Sequence, residues 1–256
     1  MLKQGDEEIR GALTRLIARL GHAPSLEVVG REAGASAEEV GEALQRLHAA
    51  HALLLHPGST RPWAVHPFAL APGGCWVKTE QRGYWANCLY CGLGIAAALR
   101  SDVVITTRLG GEAETVQYRV RQGELVNVQG VFHLSTPVAK WWDNVIFACS
   151  SFQPFRTEQE VEDWCARHAL PRGAILSLPR LWSFASDWYG SYLEKPWRKR
   201  TQAEAAALFQ RHGLTGPFWS LEDTLQENSC LITSNSASAT MRRAKRSSSR
   251  HSNRSA

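Results

Sequence analysis

Hydrophobic residues recur every three or four positions in the first fifty residues of the chain. This spacing places them on one face of an α-helix, so it predicts amphipathic helices over Glu7–Leu20, Leu26–Ala33 and Ala37–His51. Ser36 stands three residues before Glu39, which is the pattern of a capping box and marks the start of the third helix. The inward-facing residues of the first helix are expected to be Ile9, Leu13, Leu16, Ile17 and Leu20.

A short hairpin is predicted directly after these helices, from strand-like residues Ala52–Leu55 and Trp63–Val65 on either side of a turn. Three helices followed by a hairpin is the order of a winged helix, whose recognition helix would be Ala37–His51. That helix carries three acidic residues, Glu38, Glu39 and Glu42. Because contacts with phosphates dominate the affinity for DNA, an acidic helix binds DNA poorly. We therefore expect this region to pack against its neighbour, and we do not expect DNA binding.

Apolar runs after residue 70 predict a second region that is rich in strands. The expected strands are Val103–Leu109, Thr115–Arg121, Glu124–Val128, Val131–Leu134 and Val145–Ser151. A helix is expected over Thr157–His168, and the Trp-rich stretch Ile175–Leu221 is predicted to be helical. The predicted fold class is α+β, with an N-terminal winged-helix-like helical region followed by an antiparallel-sheet domain with flanking helices.

These patterns divide the chain into three segments. Residues 1–70 form the winged-helix-like helical domain, residues 71–225 a thiol-bearing domain, and residues 226–256 a basic Ser/Arg-rich tail that is expected to be disordered. The net charge of +5 belongs to this tail, because residues 241–256 carry six Lys or Arg and no acid. No apolar run is long enough to cross a membrane, and the charged start does not resemble a secretory signal. We therefore expect a cytoplasmic protein without a membrane partner.

Cysteines supply the candidate chemistry. The six are Cys75, Cys88, Cys91, Cys149, Cys165 and Cys230, and they should be reduced in the cytoplasm. Two residues separate Cys88 from Cys91 at a predicted helix start, with Asn87 as the expected N-cap and Cys88 in the first turn. Backbone N–H groups at a helix start stabilise an anion, so we expect the pKa of Cys88 to be lowered. Two thiols on one helix face suit a soft metal ion, and Cys149 supplies a third thiol from a distant segment.

The order of these elements resembles that of the organomercurial (alkylmercury) lyases. The resemblance spans about residues 5–225 and is strongest over Tyr84–Leu99 and Trp141–His168. In the second of these segments a cysteine stands shortly before a helix that contains Glu162, Asp163 and Trp164.

The resemblance implies three catalytic and mercury-binding residues. Cys88 matches the family's cysteine at the helix start, Cys149 matches its second essential cysteine, and Cys91 stands where the family has an aspartate. The implied reaction is protonolysis of a carbon–mercury bond, in which thiolates bind R–Hg⁺, an acid protonates the carbon, and the hydrocarbon leaves. The implied partner is an organomercurial small molecule, and no cofactor is implied. Free thiols as exchange partners, or mercuric reductase, would then accept the Hg²⁺.

Other functions of these residues stay open. Cys91 can act as proton donor, third metal ligand or disulfide partner. The chain can therefore also be a non-catalytic protein that binds or senses soft metals, or a dithiol redox protein that uses Cys88 and Cys91. A thioredoxin-like alternation of strands and helices is absent from the pattern, which disfavours the redox function. A structural zinc site would need a fourth ligand beside the three thiols, and the nine histidines show no ligand spacing.

Overall fold

The structure is a computed structural model that describes residues 2–126 and 128–222. The predicted tail at 226–256 and Cys230 lie outside the described residues. No helix in the described part of the chain is both long enough and apolar enough to span a membrane.

Three helices open the chain, as the hydrophobic spacing predicts. They are α1 (Asp6–Leu20), α2 (Leu26–Ala33) and α3 (Ala37–Ala49). The capping box at the start of α3 is present, because Ser36 Oγ accepts the N–H of Glu39 and the Glu39 carboxylate accepts the N–H of Ser36. The buried Asp6 at the start of α1 accepts hydrogen bonds from Arg46 of α3, at 2.9 Å for the shortest. Arg46 also pairs with Glu42, so the basic group of the proposed recognition helix is held by carboxylates within the chain.

An antiparallel sheet of eight strands forms the centre of the fold. Its strands are β1 (Leu54–Leu55), β2 (Pro62–Val65), β3 (Phe68–Ala69), β4 (Cys75–Lys78), β5 (Gly83–Ala86), β6 (Val103–Arg108), β7 (Thr115–Arg121) and β8 (Glu124–Leu125). Their order in the sheet is β1-β2-β3-β5-β4-β6-β7-β8. The predicted hairpin is present, with Leu54 opposite Ala64, and it lies at one edge of this sheet. The sheet therefore contains strands from both sides of residue 70, and the domain boundary there stays a prediction.

A second, three-stranded sheet and further helices complete the α+β fold. The strands are β9 (Val131–Leu134), β10 (Gln153–Phe155) and β11 (Ala174–Ser177), in the order β10-β9-β11. The helices are α4 (Leu89–Leu99), α5 (Val145–Ser151), α6 (Glu158–His168), α7 (Leu178–Tyr189) and α8 (Gln202–Arg211). Single turns of 3₁₀ helix lie at Leu109–Gly111, Val138–Lys140 and Pro217–Trp219. The antiparallel pairing and the flanking helices confirm the predicted fold class.

Two assignments in the second half of the chain were wrong. Residues Val145–Ser151 form a helix and not a strand, because the Asn144 side chain accepts the N–H of Phe147 and caps the first turn. A continuous apolar run of seven residues fits either structure, so the cap decides it. The stretch Ile175–Leu221 is only partly helical, since it begins within strand β11. The predicted strand Val131–Leu134 is present as β9, which pairs with β10 and β11 in the second sheet.

Helix α4 lies in the core, between the large sheet and α7. Its glycines permit this close packing. A Cβ added at Gly94 would lie 2.3 Å from Cδ2 of Tyr189 on α7, and one at Gly92 would lie 3.1 Å from Cγ2 of Ile105 on β6. Because both faces of α4 are fixed in this way, the start of the helix has a defined position beside the loops that follow β2 and β9.

Candidate thiol site

The start of α4 carries two of the three predicted thiols. Cys88 is the N-cap residue, with extended backbone angles, and the helix proper begins at Leu89. The prediction that Asn87 caps the helix and that Cys88 lies in its first turn was therefore wrong by one residue. Cys91 occupies the first turn, and its Sγ lies 3.7 Å from the Sγ of Cys88.

The third predicted thiol joins this pair from α5. The Sγ atoms of Cys91 and Cys149 and a ring nitrogen of His66 all lie within 4.8 Å of one another. The three cysteines are between 1% and 8% exposed, so the cluster is shielded from bulk water. The structure thus brings Cys88 and Cys91 of α4 together with Cys149 of α5.

Hydrogen bonding among the three thiols shifts their pKa values in different directions. Burial acts to raise the pKa of Cys88, but its hydrogen bonds with Cys149 and Cys91 outweigh burial and hold that pKa well below its usual range. The pKa of Cys91 is raised by its hydrogen bonds with Cys149 and Cys88 and by burial. The pKa of Cys149 is raised chiefly by its hydrogen bond to Cys88. These shifts favour the thiolate at Cys88 and the protonated thiol at Cys91 and Cys149.

His66 is a member of the cluster that sequence reasoning missed. It follows strand β2, and no spacing pattern in the chain connects it with the cysteines. Burial lowers the pKa of His66 to about 4, so the imidazole is neutral at pH 7. Its Nδ1 is buried and has no hydrogen-bond partner among the described residues, while Nε2 lies 3.5 Å from Nδ2 of Asn87.

A cavity of about 390 Å³ opens onto the cluster. Cys91 and Cys149 line it, whereas Cys88 lies behind them and is not part of the lining. Most of the wall is apolar and aromatic, with Tyr90, Trp141, Trp142, Phe152, Trp188, Tyr189, Tyr192 and Trp197. The described residues that line the cavity include three with cationic side chains, Arg10, Lys199 and Arg200, and one carboxylic acid, Asp143.

The remaining described cysteines lie elsewhere. Cys75 is buried on β4, and burial raises the pKa of its thiol far above the usual range. The Sγ of Cys165 on α6 lies 3.6 Å from Nε2 of His133, in a separate hydrophobic cluster. Neither lines the cavity. Asp102, the nearest carboxylate in sequence after Cys91, is exposed and bonds to Arg121.

Comparisons with known proteins point to one family. The family model for alkylmercury lyase matches residues 68–190, a segment that contains all three clustered cysteines. The crystal structure of the mercury-bound form of MerB2 is similar to this chain at a TM-score of 0.60 and 18% identity, over 75% of this chain and 93% of that one. At this identity the likeness shows a shared fold. A comparison with curated protein sequences found no significant match.

Proposed function

Residues 68–190 belong to the alkylmercury lyase family, and on this premise we propose that the chain is an organomercurial lyase. It cleaves a carbon–mercury bond by protonolysis and yields a hydrocarbon and Hg²⁺ held by thiolates. The observation that carries the proposal is the meeting of three buried thiols, two of which line one aromatic cavity. Mercury is the substrate metal here, and the reaction needs no cofactor.

The division of charge within the cluster suits the first step. The Cys88 thiolate attacks R–Hg⁺ and forms a sulfur–mercury bond, since the thiolate is the form that binds soft metals. Cys149 then adds a second sulfur to mercury and gives up its proton. Donation from two sulfurs increases the electron density on the mercury-bound carbon, which prepares that carbon to accept a proton.

Cys91 supplies that proton. Its raised pKa keeps the thiol protonated at neutral pH, and its Sγ is 3.7 Å from that of Cys88. The proton passes to carbon as the carbon–mercury bond breaks, and R–H leaves. The Cys91 sulfur then takes up the proton released by Cys149, so the balance is R–Hg⁺ plus one thiolate and one thiol giving R–H and a neutral dithiolate of Hg²⁺.

The cavity provides the setting for this chemistry. Its aromatic wall accommodates the organic group of the substrate and excludes water from the cluster. Free thiols, or a mercuric reductase as partner, would remove Hg²⁺ by ligand exchange. A cytoplasmic location suits this proposal, because the cytoplasm keeps cysteines reduced.

A second candidate function uses the same residues without turnover. Three sulfurs and an imidazole in one cluster form a strong site for a soft metal ion, which favours a protein that binds or senses mercury. This function predicts retention of Hg²⁺ and no release of hydrocarbon.

Turnover of phenylmercury tests the proposal. The reduced chain is incubated with phenylmercury acetate and excess thiol, and benzene is measured by gas chromatography. Cys88→Ser and Cys149→Ser should each reduce the rate by about 10³-fold or more, which is the scale for loss of a catalytic nucleophile. Cys165→Ser removes a buried thiol outside the cavity and should leave the rate unchanged. A wild type that binds Hg²⁺ and releases no benzene would establish the second candidate and exclude the lyase.

A further inference from the structure

His66 gives the thiol cluster a nitrogen ligand that the lyase chemistry leaves unused. One of its ring nitrogens lies within 4.8 Å of the Sγ atoms of Cys91 and Cys149. The Sγ atom of Cys88 lies 3.7 Å from that of Cys91. Three thiols and one imidazole are the ligand set of a Cys₃His zinc site.

The spacing of these atoms suits a tetrahedral ion. With zinc–sulfur bonds of about 2.3 Å, two sulfurs on a tetrahedral ion are separated by about 3.8 Å. The 3.7 Å between Cys88 and Cys91 matches this edge. The Sγ atoms of Cys91 and Cys149 and the ring nitrogen of His66 lie within 4.8 Å of one another. Movements of about 1 Å or less would bring these three atoms to the distances of a tetrahedral site.

We propose that this cluster is a Zn²⁺ site in the absence of organomercurial, with Cys91, Cys149 and His66 as ligands and Cys88 as the fourth. The proposal rests on the geometry of the cluster and does not depend on lyase activity.

The surroundings of His66 fit the role of a ligand. Its Nδ1 is buried without a hydrogen-bond partner among the described residues, and such a nitrogen is normally paired or bound to metal. The amide of Asn87 lies beside Nε2, and a side-chain amide can either donate or accept there. A partner on the second ring nitrogen fixes the orientation of a metal-bound histidine. Arg10 also donates to the backbone oxygen of His66, at 3.0 Å, and so holds the loop in place.

Arg10 also supplies the charge that such a site needs. Three thiolates and Zn²⁺ have a net charge of −1, and an uncompensated buried charge is costly. Arg10 is 2% exposed and lines the same cavity. Its hydrogen bonds go to Ala52 O, Thr14 Oγ1 and His66 O, so within the described ranges its cation has no carboxylate partner. An anionic zinc–thiolate centre nearby would balance this buried cation.

Cobalt and zinc binding to the reduced full-length chain test the proposal. Co²⁺ in a tetrahedral sulfur–nitrogen site gives visible d–d bands and an ultraviolet thiolate charge-transfer band, and Zn²⁺ should abolish both by displacement. We expect one Co²⁺ per chain. His66→Gln should weaken Zn²⁺ binding by about 100-fold or more, beyond the 10–100-fold cost of losing only an outer-shell partner. Cys165→Ser is the matched control, because Cys165 contacts a different histidine, His133, and should bind both ions like the wild type.

X-ray absorption at the zinc edge of the wild type keeps the test independent of variant folding. We expect a mixed shell with sulfur at about 2.3 Å and nitrogen at about 2.0 Å. An all-sulfur shell, or unchanged affinity in His66→Gln, would overturn the role of His66, and no bound metal would overturn the site. Benzene release is measured separately, so active chains that bind no Zn²⁺ would contradict this inference alone. Chains that bind Zn²⁺ without turnover would contradict the lyase alone.

Discussion

Replacement of Cys91 by alanine isolates the proton-donating step from the binding of mercury. The Cys91 thiol is 1% exposed, lines the cavity, and keeps its proton because its neighbours and burial raise its pKa. Cys91→Ala removes this proton and leaves Cys88 and Cys149, the two sulfurs proposed to hold mercury. We therefore expect Hg²⁺ binding to persist while hydrocarbon release slows.

The size of the effect follows from the lack of a substitute acid. Asp143 is the one carboxylic acid among the described residues that line the cavity, and it is exposed and faces Lys140. Tyr90 lines the cavity too, but a phenol is a weaker acid than a thiol, and burial raises the pKa of Tyr90 well above its usual range. Loss of a positioned general acid costs about 10²–10⁴-fold in rate, which corresponds to about 2.7–5.4 kcal/mol in the activation barrier. Removing one buried sulfur should cost only about 1 kcal/mol of folding free energy, so the variant stays folded.

Single-turnover release of benzene from enzyme-bound phenylmercury measures this step directly. The wild type, Cys91→Ala and Cys91→Asp are compared, with circular dichroism to verify folding. Cys91→Asp places a carboxyl group at the position where the resembling family has an aspartate, and it should release benzene at least ten times faster than Cys91→Ala. If Cys91→Ala releases benzene within about threefold of the wild-type rate, the proton comes from another group and the reasoning is refuted.

Two further predictions concern stability. Gly94→Ala should lower the free energy of unfolding by about 1–3 kcal/mol in thermal denaturation, because the new Cβ would lie 2.3 Å from Tyr189. Gly41→Ala is the control, because its new Cβ would have its nearest contact 3.6 Å away, and it should be neutral or stabilising in the same measurement. Burial acts to raise the pKa of Asp6, but hydrogen bonds from Arg46 outweigh burial, so the pKa is lowered. The ion pair therefore stabilises the fold above about pH 4, and this stabilisation is lost as the pH falls through the folded-state pKa of Asp6. The difference in urea midpoint between wild type and Asp6→Asn should therefore shrink between pH 6 and pH 3, and a constant difference would contradict this assignment.

Local patterns predicted the elements whose ends are set by local hydrogen bonds. The capping box at Ser36 and Glu39 is formed as predicted, and Thr157 caps α6. The helix at Val145–Ser151 was missed although its start is also set by a local hydrogen bond. Its apolar residues are continuous, and the cap that defines it is a single side chain, that of Asn144. Short apolar runs contain too few periods to separate a helix from a strand.

The thiol cluster shows how far a sequence can predict a site. The spacing of Cys88 and Cys91 follows from one helix start, and resemblance to a family connected them with Cys149. His66 comes from the other side of the predicted domain boundary, after β2, the second strand from one edge of the large sheet. Its contact with the cysteines depends on how β2, β3 and β5 pair, which is a long-range property. No residue spacing could have predicted it.

In the proposed mechanism, a thiol in place of a carboxylic acid at position 91 changes the proton balance of the cluster and the fate of the product. A carboxyl group at position 91 would be ionised near neutral pH unless its pKa were raised, and would have to acquire a proton before donating it. The hydrogen bonds of Cys91 with Cys149 and Cys88, together with burial, raise the pKa of its thiol and favour the protonated form. Until it takes up the proton released by Cys149, however, the Cys91 sulfur is a thiolate and a third soft ligand for Hg²⁺. The same residue therefore favours bond cleavage and opposes release of the metal, so we expect the steady-state rate to depend more strongly on added thiol in the wild type than in Cys91→Asp. Equal dependence would show that Cys91 does not contact the product ion.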